Sequence, residues 1–389
     1  MLLCEITVNG TIRRVSIEGH PLTHNWKPYI TNFDAPTFAV ATNHGGYAEM
    51  VYGTISFNPK LFYDTVFSIN DYPPPVSCPI SIYYTDTTEA AAELIFAGTA
   101  HRCNFNREQV TYALYGSSYD SHIYIMGVPP LVVGRSYEIV NYVDGDDFTN
   151  VGAILNQTGE IFTATGAYPT VWTNFSHLAP HWNDTLNNVI ADVLSEITEI
   201  TTLNTDYARV LSPNVLYTLT STRMAINVAS DIAAFYSHLL YVIGDTAYLV
   251  DMKLSNGSDW TLTEYQFFST PSYELATPRA AMKTTYNEES YYATSIYPYG
   301  ETSEIDPYHQ TEADIEAALA DILAFENTQR MVIKIPMIAG NFPRLGQKII
   351  FSDTSHITNL LNYIKVRQLQ YDFINDEIII EGEGEVVAA

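Results

Sequence analysis

Short runs of alternating apolar and polar residues fill the first third of the chain. The first two runs, residues 3–8 and 11–17, flank Asn9-Gly10, a dipeptide that readily adopts the positive φ angles of a two-residue hairpin turn. Further runs of this kind lie at residues 53–57, 80–84, 92–97 and 110–114. Because successive side chains of a strand point to opposite faces, the pattern predicts many short strands, and a barrel or sandwich over residues 1–131.

Residues 132–176 differ in composition from the strands before them. They are rich in Gly, Thr and Asn, and their apolar positions are few, namely Ile139, Phe148, Val151, Ile161 and Phe162. We therefore predict a small β unit of its own, inserted between larger ones.

Helical spacing of apolar residues occurs in three segments. Residues 186–200 carry apolar side chains three and four positions apart, and Asp184 is the predicted N-cap. The same spacing predicts a second helix over 221–236. A third helix is predicted to start at Thr311, with Asp314 near a capping-box position.

Alternation returns in the second half of the chain. Residues 239–243 and 247–250 flank a Gly244-Asp245 turn and predict a hairpin. Near the C-terminus, strands are predicted at 330–335, where Pro336 ends the run, at 347–351 after a Leu345-Gly346 turn, and at 364–373 paired with 378–381 across Asn375-Asp376.

These elements predict an α+β, mostly β protein of several domains. The expected division is an N-terminal β domain at 1–131, the inserted β module at 132–176, a middle α+β domain at 177–310, and a helix plus β domain at 311–389. A chain of 389 residues is long enough for such a division.

The composition combines many tyrosines with few charges. The chain has 29 Tyr, while charged residues make up only 16%, which suits broad protein–protein contact. The 44 acidic and 18 basic residues give a net charge of −26. A reader of nucleic acid needs a basic surface, so specific binding to DNA or RNA is not expected. Solubility through self-repulsion is one explanation of the acidic excess.

The cysteines and the N-terminal residues bear on the cellular compartment. Cys4, Cys78 and Cys103 lack C-x-x-C spacing, so neither a disulfide framework nor a zinc site is expected, and a reducing cytoplasm fits. Residues 1–5 lack the features of a secretory signal, and no apolar run approaches the roughly 20 residues of a membrane span.

Few residues have the spacing of a metal site. Two histidine pairs have the i, i+4 spacing of ligands on a helix, but each encloses a helix-breaking proline: His20 and His24 around Pro21, and His177 and His181 around Pro180. The run from Asp144 to Asp147 resembles the opening of a calcium loop but lacks the later ligands. An exposed acidic turn is the preferred interpretation.

Catalytic motifs are absent from the sequence as well. It contains no G-x-S-x-G, P-loop, H-E-x-x-H or G-x-G-x-x-G pattern. Glu301 and Glu304 could form a glycosidase pair, but nothing distinguishes them from other acidic residues on a solvated surface. We therefore predict no enzyme activity, with no catalytic residue, no cofactor-binding residue, no metal ligand and no cofactor.

The inserted module carries a recognisable motif. Its elements are Tyr137-Glu138-Ile139, the run from Asp147 to Ala153, Asn156, Gly159 and the run from Phe162 to Gly166. The order Y-x-I, D-F-T-x-V-G-A, N-x-x-G and F-x-A-T-G resembles a short module that recurs as an insert in phage virion proteins. In that module a Gly-Thr-Gly run follows, whereas Tyr168-Pro169-Thr170 stands here.

The terminal regions resemble tail hub proteins of long-tailed phages. The N-terminal likeness lies in residues 53–62, Pro73-Pro74-Pro75 with the residues up to 79, and 94–100. The C-terminal likeness is the order of strands around Pro336, Leu345-Gly346 and residues 378–381. The resemblance implies a baseplate-hub-like fold in which two tail-tube-like β-barrel domains flank a helix-containing middle domain, with no catalytic residues.

The function implied by the resemblance is structural. The chain would form the central hub of a phage tail tip, assembled in the bacterial cytoplasm as a homotrimer that lines the DNA exit channel. Its partners would be the tail tube, the distal tail protein, the tape-measure protein and the receptor-binding fibre. Two alternatives remain open at this stage: a peripheral receptor- or carbohydrate-binding tail protein, and a tail-associated hydrolase.

Overall fold

The fold is described from a computed structural model of the chain. It describes residues 1–386 apart from 18–19, 22–23, 35–36, 43–44, 52, 65–68, 72, 86–87, 117–118, 206–213, 253–258, 264–266, 268, 277–278, 287–288, 295–300, 305–312, 314, 318, 321–329, 339–342, 353–360, 362 and 373–376. Among these residues, no helix is long and apolar enough to cross a membrane.

Most of the secondary structure consists of strands. The strands of the first half are β1 (Leu2–Val8), β2 (Thr11–Ser16), β3 (His20–Pro21), β4 (Asn25–Trp26), β5 (Ile30–Asp34), β6 (Thr37–Thr42), β7 (Gly45–Val51), β8 (Gly53–Phe57), β9 (Tyr63–Asp64), β10 (Ile69–Asn70), β11 (Ser77–Tyr84), β12 (Glu93–Phe105), β13 (Val110–Tyr115), β14 (His122–Ile123), β15 (Ser136–Asn141) and β16 (Ile161–Thr163). Those of the second half are β17 (His177–Thr185), β18 (Thr202–Asn204), β19 (Asn214–Thr218), β20 (Arg223–Met224), β21 (His238–Ile243), β22 (Thr246–Asp251), β23 (Asp259–Thr263), β24 (Ser272–Leu275), β25 (Arg279–Tyr286), β26 (Glu289–Thr294), β27 (Glu301–Glu304), β28 (Arg330–Ile338), β29 (Lys348–Ser352), β30 (Tyr363–Asp372) and β31 (Glu377–Glu385). The α-helices with described bounds are α1 (Leu186–Leu194) and α2 (Ala225–Phe235), and short 3-10 helices lie at Pro59–Leu61, Glu89–Ala91 and Thr149–Val151.

The N-terminal strands form an antiparallel barrel. Asn9 and Gly10 take positive φ angles of 48° and 77°, which allows the tight turn between β1 and β2. The strands follow the order β2-β1-β11-β12-β13-β8-β5. Val15 on the edge strand β2 bridges to Lys27, shortly before the other edge strand β5, and the Ser16 amide donates to the Lys27 carbonyl at 2.8 Å. The bridge links the two edges of the sheet, which confirms the expected barrel.

A hairpin of N-terminal strands leaves this barrel. Strands β6 and β7 pair with each other, and Phe38 on β6 pairs with Leu369 on β30. On the other side, β7 runs parallel to β21, with Gly46 opposite Leu239. The hairpin therefore belongs to the sheet formed by the second half of the chain, a connection that strand patterns alone did not predict.

The second half forms a large mixed sheet. Its order is β18-β22-β21-β7-β6-β30-β31-β28-β24, and β29 pairs with both β30 and β23. The predicted hairpin around Gly244 is present as β21 and β22, with Gly244 at a φ of 65°. The predicted turn at Asn375-Asp376 lies outside the described residues.

The strand stop predicted at Pro336 is wrong. Strand β28 runs on to Ile338, and Pro336 lies opposite Ile379 of β31. On the other side, the ladder with β24 ends at Lys334, so the missing N–H of Pro336 interrupts no continuous ladder there. A proline is tolerated where a strand edge is not fully paired.

The helices are shorter than predicted. Helix α1 begins at Leu186 with Thr185 as N-cap, whereas Asp184 accepts hydrogen bonds from the Thr185 amide and the Asn188 amide group. It ends at Leu194, although Ile197 and Ile200 remain buried beyond it. Helix α2 starts at Ala225, four residues after the predicted start. The spacing of apolar residues predicts which positions are buried. It does not predict where the helix ends, because residues beyond the last helical hydrogen bond are buried as well.

Only part of the predicted third helix is described. Residues 313, 315–317 and 319–320 are helical, and Ile315 and Leu319 on them are buried. The predicted start at Thr311 and the capping position Asp314 lie outside the described residues.

Buried apolar side chains form clusters that follow this architecture. One cluster extends from the barrel into the large sheet and includes Phe57, Phe96 and Tyr112 together with Leu239, Ile335 and Ile364. A second surrounds α1 and α2, and a third fills the 132–176 module. The barrel and the large sheet thus share a continuous core.

Candidate functional site

His177 and His181, one of the two histidine pairs with i, i+4 spacing, lie too far apart to share a metal ion. His177 and His181 both lie on the strand β17, where four positions correspond to about 13 Å. His181 is buried and its Nδ1 lies 2.8 Å from the Thr218 hydroxyl oxygen, while His177 is exposed. Burial lowers the pKa of His181, and nearby Glu138 opposes that shift. His181 is therefore a structural residue of the sheet.

Among the remaining histidine and glutamate candidates, only His24 has described side-chain contacts. His24 pairs with Glu89, and its backbone amide donates to the same carboxylate at 3.0 Å. His20 lies on the short strand β3, and Glu301 and Glu304 are on β27, but the contacts of their side chains are not described. Within the described part of the chain, no group of three or more His, Cys, Asp or Glu side chains could hold a metal ion.

The acidic run Asp144–Asp147 organises the loops of the module. Asp146 is buried and accepts hydrogen bonds from the backbone amides of Thr173, Asn174 and Ser176 at 2.8, 2.9 and 3.0 Å. Burial raises the pKa of this carboxyl, but these hydrogen bonds outweigh burial and the net pKa is lowered. The carboxylate therefore serves as an internal anchor, a role that its resemblance to a calcium loop did not reveal.

Asp147 has a similar role in the adjacent loop. It accepts hydrogen bonds from the Asn156 amide group at 3.0 Å, the Thr149 amide at 3.0 Å and the Thr149 hydroxyl at 2.7 Å, and these lower its pKa. The Asn156 side-chain oxygen in turn accepts from the Phe148 amide at 3.0 Å. Asp147 and Asn156 of the sequence motif thus fix the two ends of one loop.

The other motif residues build the module from within. Phe148, Phe162 and Ala164 are buried in its core. Gly152 has a φ of 116°, and a β-carbon there would stand 2.4 Å from the Thr163 carbonyl oxygen, so only glycine fits. Every motif position with a described role is therefore a scaffold position.

Arg135 attaches the module to α1. Its guanidinium is buried and lies 3.0 Å from the Asp192 carboxylate, and it also pairs with Glu196. The carboxylate and the backbone carbonyl of Asp192 also accept hydrogen bonds from the Arg135 guanidinium. The two carboxylates raise the pKa of Arg135 against the opposing effect of its burial. The module is thus bonded to the helical region as well as joined through β15 and β17 of one sheet.

Among the described residues, many exposed large apolar side chains lie on this module or just before it. Much of the exposed large apolar surface lies between residues 124 and 175, at Tyr124, Val128, Val132, Val133, Ile154, Leu155, Ile161, Tyr168, Val171 and Phe175. Ile154 is 83% exposed, and Leu155 and Ile161 are 51% and 47% exposed. The Glu160 carboxylate accepts hydrogen bonds from the amides of Ile154 and Leu155 at 3.1 and 3.3 Å. Ile154 and Leu155 are neighbours on one loop, and Ile161 lies on β16.

The sequence pattern does not indicate these exposed residues. Ile161 is one of the few apolar positions of the module, but only its neighbour Phe162 points inward, because side chains alternate on β16. Ile154 and Leu155 fall between motif residues.

The barrel and the large sheet meet at a second notable contact. Arg344 forms an ion pair with Glu93 at the start of β12, and its guanidinium lies over the Tyr248 ring at 5.9 Å. Leu94 and Tyr371 line the same cleft. Burial lowers the pKa of Arg344. An ion pair and apolar side chains line the cleft, as is typical of a contact between two parts of one chain.

Comparison with known proteins places the fold. No protein-family model matches the sequence, and no curated protein matches it. The chain is similar over 98% of its length to the tail protein from Neisseria meningitidis MC58, covering 96% of that chain at 7% identity with a TM-score of 0.50. It is also similar to the 43 kDa tail protein of prophage MuSo2 from Shewanella oneidensis, over 98% of this chain and 95% of that one, at 8% identity and a TM-score of 0.49. The Neisseria likeness covers both chains almost completely, so this chain shares the fold of that tail protein, and the expected mostly β fold is confirmed.

Proposed function

We propose that the chain is the central hub of a phage tail tip. The observation that carries the proposal is the full-length likeness to a tail protein. In this chain, the barrel and the large sheet share one core. A core that spans both parts keeps them in fixed relative positions, as a ring-forming subunit requires. In this role the protein joins the tail tube and the distal tail protein to the receptor-binding fibre and meets the tape-measure protein.

The proposal includes a homotrimeric ring around a DNA exit channel. The tube above such a hub is sixfold, and the N-terminal barrel and the C-terminal sheet would each present one tube-like unit. Three copies would then match six tube subunits through one heterologous interface repeated until the ring closes. Such a protein would be located at the tail tip of the virion after assembly in the host cytoplasm.

The role proposed here is structural and not enzymatic. Of the candidates with described contacts, His181, Asp146 and Asp147 most resembled site residues. Each of them forms hydrogen bonds to other residues of the fold. Absence of cell-wall clearing in a zymogram is expected. Clearing by the purified protein would instead favour the hydrolase alternative.

The decisive experiment is a reconstruction of the whole particle by electron cryomicroscopy. We expect three copies of the chain on the tail axis, directly below the tube. A count of six, or one copy in each peripheral fibre, would contradict the hub and favour a receptor-binding role. Solution mass is a weaker test, because the isolated protein could require the tube to form its ring.

A further inference from the structure

The register of the barrel strands brings several connections together at one end of the barrel. Val110 at the start of β13 lies opposite Phe57 at the end of β8 and also pairs with Phe105 at the end of β12. The β1–β2 turn and the segment before β11 lie at this end too, because β1, β11 and β12 are antiparallel neighbours. The opposite end of β12 begins at Glu93, whose ion pair with Arg344 connects the barrel to the large sheet.

Side-chain contacts join the β12–β13 turn to the segment before β11. The Arg102 guanidinium lies over the Phe105 ring, 4.5 Å from its centre, and donates a hydrogen bond to the Pro74 carbonyl. The Arg102 backbone amide donates to the Val76 carbonyl at 2.8 Å. One arginine therefore holds an aromatic ring and the proline segment side by side.

A second set of contacts adds the 3-10 helix and the β1–β2 turn. Arg13 pairs with Asp71 and donates to the Leu61 carbonyl, next to Lys60 in the 3-10 helix. The Asn9 side chain donates to the Asp71 carboxylate at 2.6 Å. These contacts define one continuous surface, built from residues 9–13, 58–64, 69–71, 73–76 and 101–109.

This surface combines exposed apolar side chains with cations. Val76 is 66% exposed and Phe105 is 37% exposed, although both are apolar. Lys60 and Arg107 are exposed as well, and within the described part of the chain neither forms an ion pair. We call Lys60, Val76, Arg102, Phe105 and Arg107 the basic end.

The charge of the basic end is opposite to that of the chain as a whole. Its segments contain four basic and three acidic residues, and Arg13 and Asp71 among them pair with each other. The whole chain has 44 acidic and 18 basic residues and a net charge of −26. Two copies therefore repel each other overall, and opposite charges must meet where they touch. A carboxylate-rich surface of a second copy is complementary to the basic end.

We propose that the basic end is a contact surface between two copies of this chain. Lys60 and Arg107 face carboxylates of the second copy, and Val76 and Phe105 are covered in the centre of the contact. The contact joins two different surfaces of the same chain, which is the heterologous interface that a closed ring repeats. The inference rests on the proposed function, because the ring at the tail tip is what brings the copies together.

Zero-length crosslinking of assembled particles tests this inference. A carbodiimide joins a lysine amine directly to a carboxylate that it contacts, and a link between two copies gives a species of twice the chain mass on a denaturing gel. We expect that species, with Lys60 joined to an Asp or Glu peptide of this chain in mass spectrometry. Lys60→Arg keeps the charge but removes the amine, so it should assemble and lose this link. A link from Lys60 to another tail protein, or no link between copies, would overturn the inference.

Charge reversal at Arg107 provides an independent measurement. Arg107→Glu should lower incorporation of the chain into particles at least about tenfold, because carboxylates would then face carboxylates. Its neighbour Glu108 is also exposed, and Glu108→Gln, the matched control, should be incorporated at least as well as the unaltered chain. Equal unfolding temperatures of the purified proteins would exclude misfolding as the cause. Full incorporation of Arg107→Glu would overturn the inference.

The two proposals fail in distinguishable ways. A chain that reconstruction places as three copies on the tail axis, but whose Lys60 links to no second copy, leaves the hub standing and removes this contact surface. A chain found away from the axis removes the hub itself, whether or not Lys60 links two copies.

Discussion

At the scale of single residues, Gly384 shows how closely the strands of the large sheet approach. A β-carbon at this position on β31 would stand 2.2 Å from the Tyr363 carbonyl oxygen and 3.0 Å from Ile364. We expect Gly384→Ala to lower the free energy of unfolding by about 1 to 3 kcal/mol, because backbone atoms cannot move aside cheaply.

Gly116 provides the matched control for this substitution. A β-carbon there would meet nothing within 4 Å, so Gly116→Ala should change the free energy of unfolding by less than about 0.5 kcal/mol. Chemical denaturation of both variants measures the difference. Equal effects at the two positions would contradict the close packing described for β31.

Asp146 links the stability of the module to pH. Its pKa is lowered in the folded state by backbone amides that outweigh its burial, so its stabilising effect is present above the unfolded pKa of about 3.9. The effect is lost as the pH falls through the lower folded pKa. We expect Asp146→Ala to lower the free energy of unfolding at pH 7 by about 1 to 3 kcal/mol, since three amides lose their acceptor.

The pH profile separates this anchor from a general acidic effect. The difference between the unaltered protein and Asp146→Ala should shrink as the pH falls below about 4. Asp144→Ala, at an exposed position of the same turn, should show little difference at any pH. A difference for Asp146→Ala that stays constant from pH 7 to pH 3 would refute the role of the ionised carboxylate.

At the scale of elements, local patterns predicted strands better than connections. Asn9-Gly10 and Gly244-Asp245 predicted their hairpins because turn geometry depends on the residues in the turn. The membership of β6 and β7 in the large sheet could not be predicted. Alternation specifies that a strand has one buried face, and contains no information about which sheet buries it.

The candidate site was predictable only in part. The module motif indicated a separate β unit, and the unit has its own apolar core. The buried role of Asp146 was hidden because its three partners lie 27 to 30 positions away in the sequence. The different exposure of the neighbours Ile161 and Phe162 became visible only in the structure.

The boundaries of the inserted module remain a prediction with a direct test. Met126 and Leu178, on either side of it, form a bridge with amide-to-carbonyl distances of 2.7 and 2.9 Å, so a short linker can span the gap. Replacing residues 132–173 by a Gly/Ser linker should leave the barrel and the large sheet folded. Hydrogen exchange on the shortened chain would measure this.

The same replacement should have local effects on the rest of the chain. It removes Arg135 and the strand that pairs with β17, so α1 and β17 should exchange faster while the strands of the barrel keep their protection. Loss of all soluble protein would count strongly against an insert.

At the scale of the whole molecule, the net charge of −26 has a functional interpretation. If the hub surrounds the DNA exit path, acidic walls would repel phosphate and keep DNA from adhering. We expect no measurable affinity for duplex DNA at low salt, where charge effects are least screened. An electrophoretic mobility assay at about 20 mM salt would check this, with a basic protein as positive control. Binding under these conditions would contradict an acidic channel wall.

The hairpin of β6 and β7 also sets an order of events during synthesis. Its β6 partner, Leu369 on β30, is about 330 positions further along the chain. At about 5 to 20 residues per second on the ribosome, the hairpin waits on the order of tens of seconds for that strand. Nascent chains stalled at residue 320 should therefore leave β6 open to protease, while β11, β12 and β13 are protected and β7 can already pair with β21. Protection of β6 equal to that of the barrel strands at this length would mean that it first pairs with another strand. Until β30 is made, the open edge of β6 is available to pair with other chains.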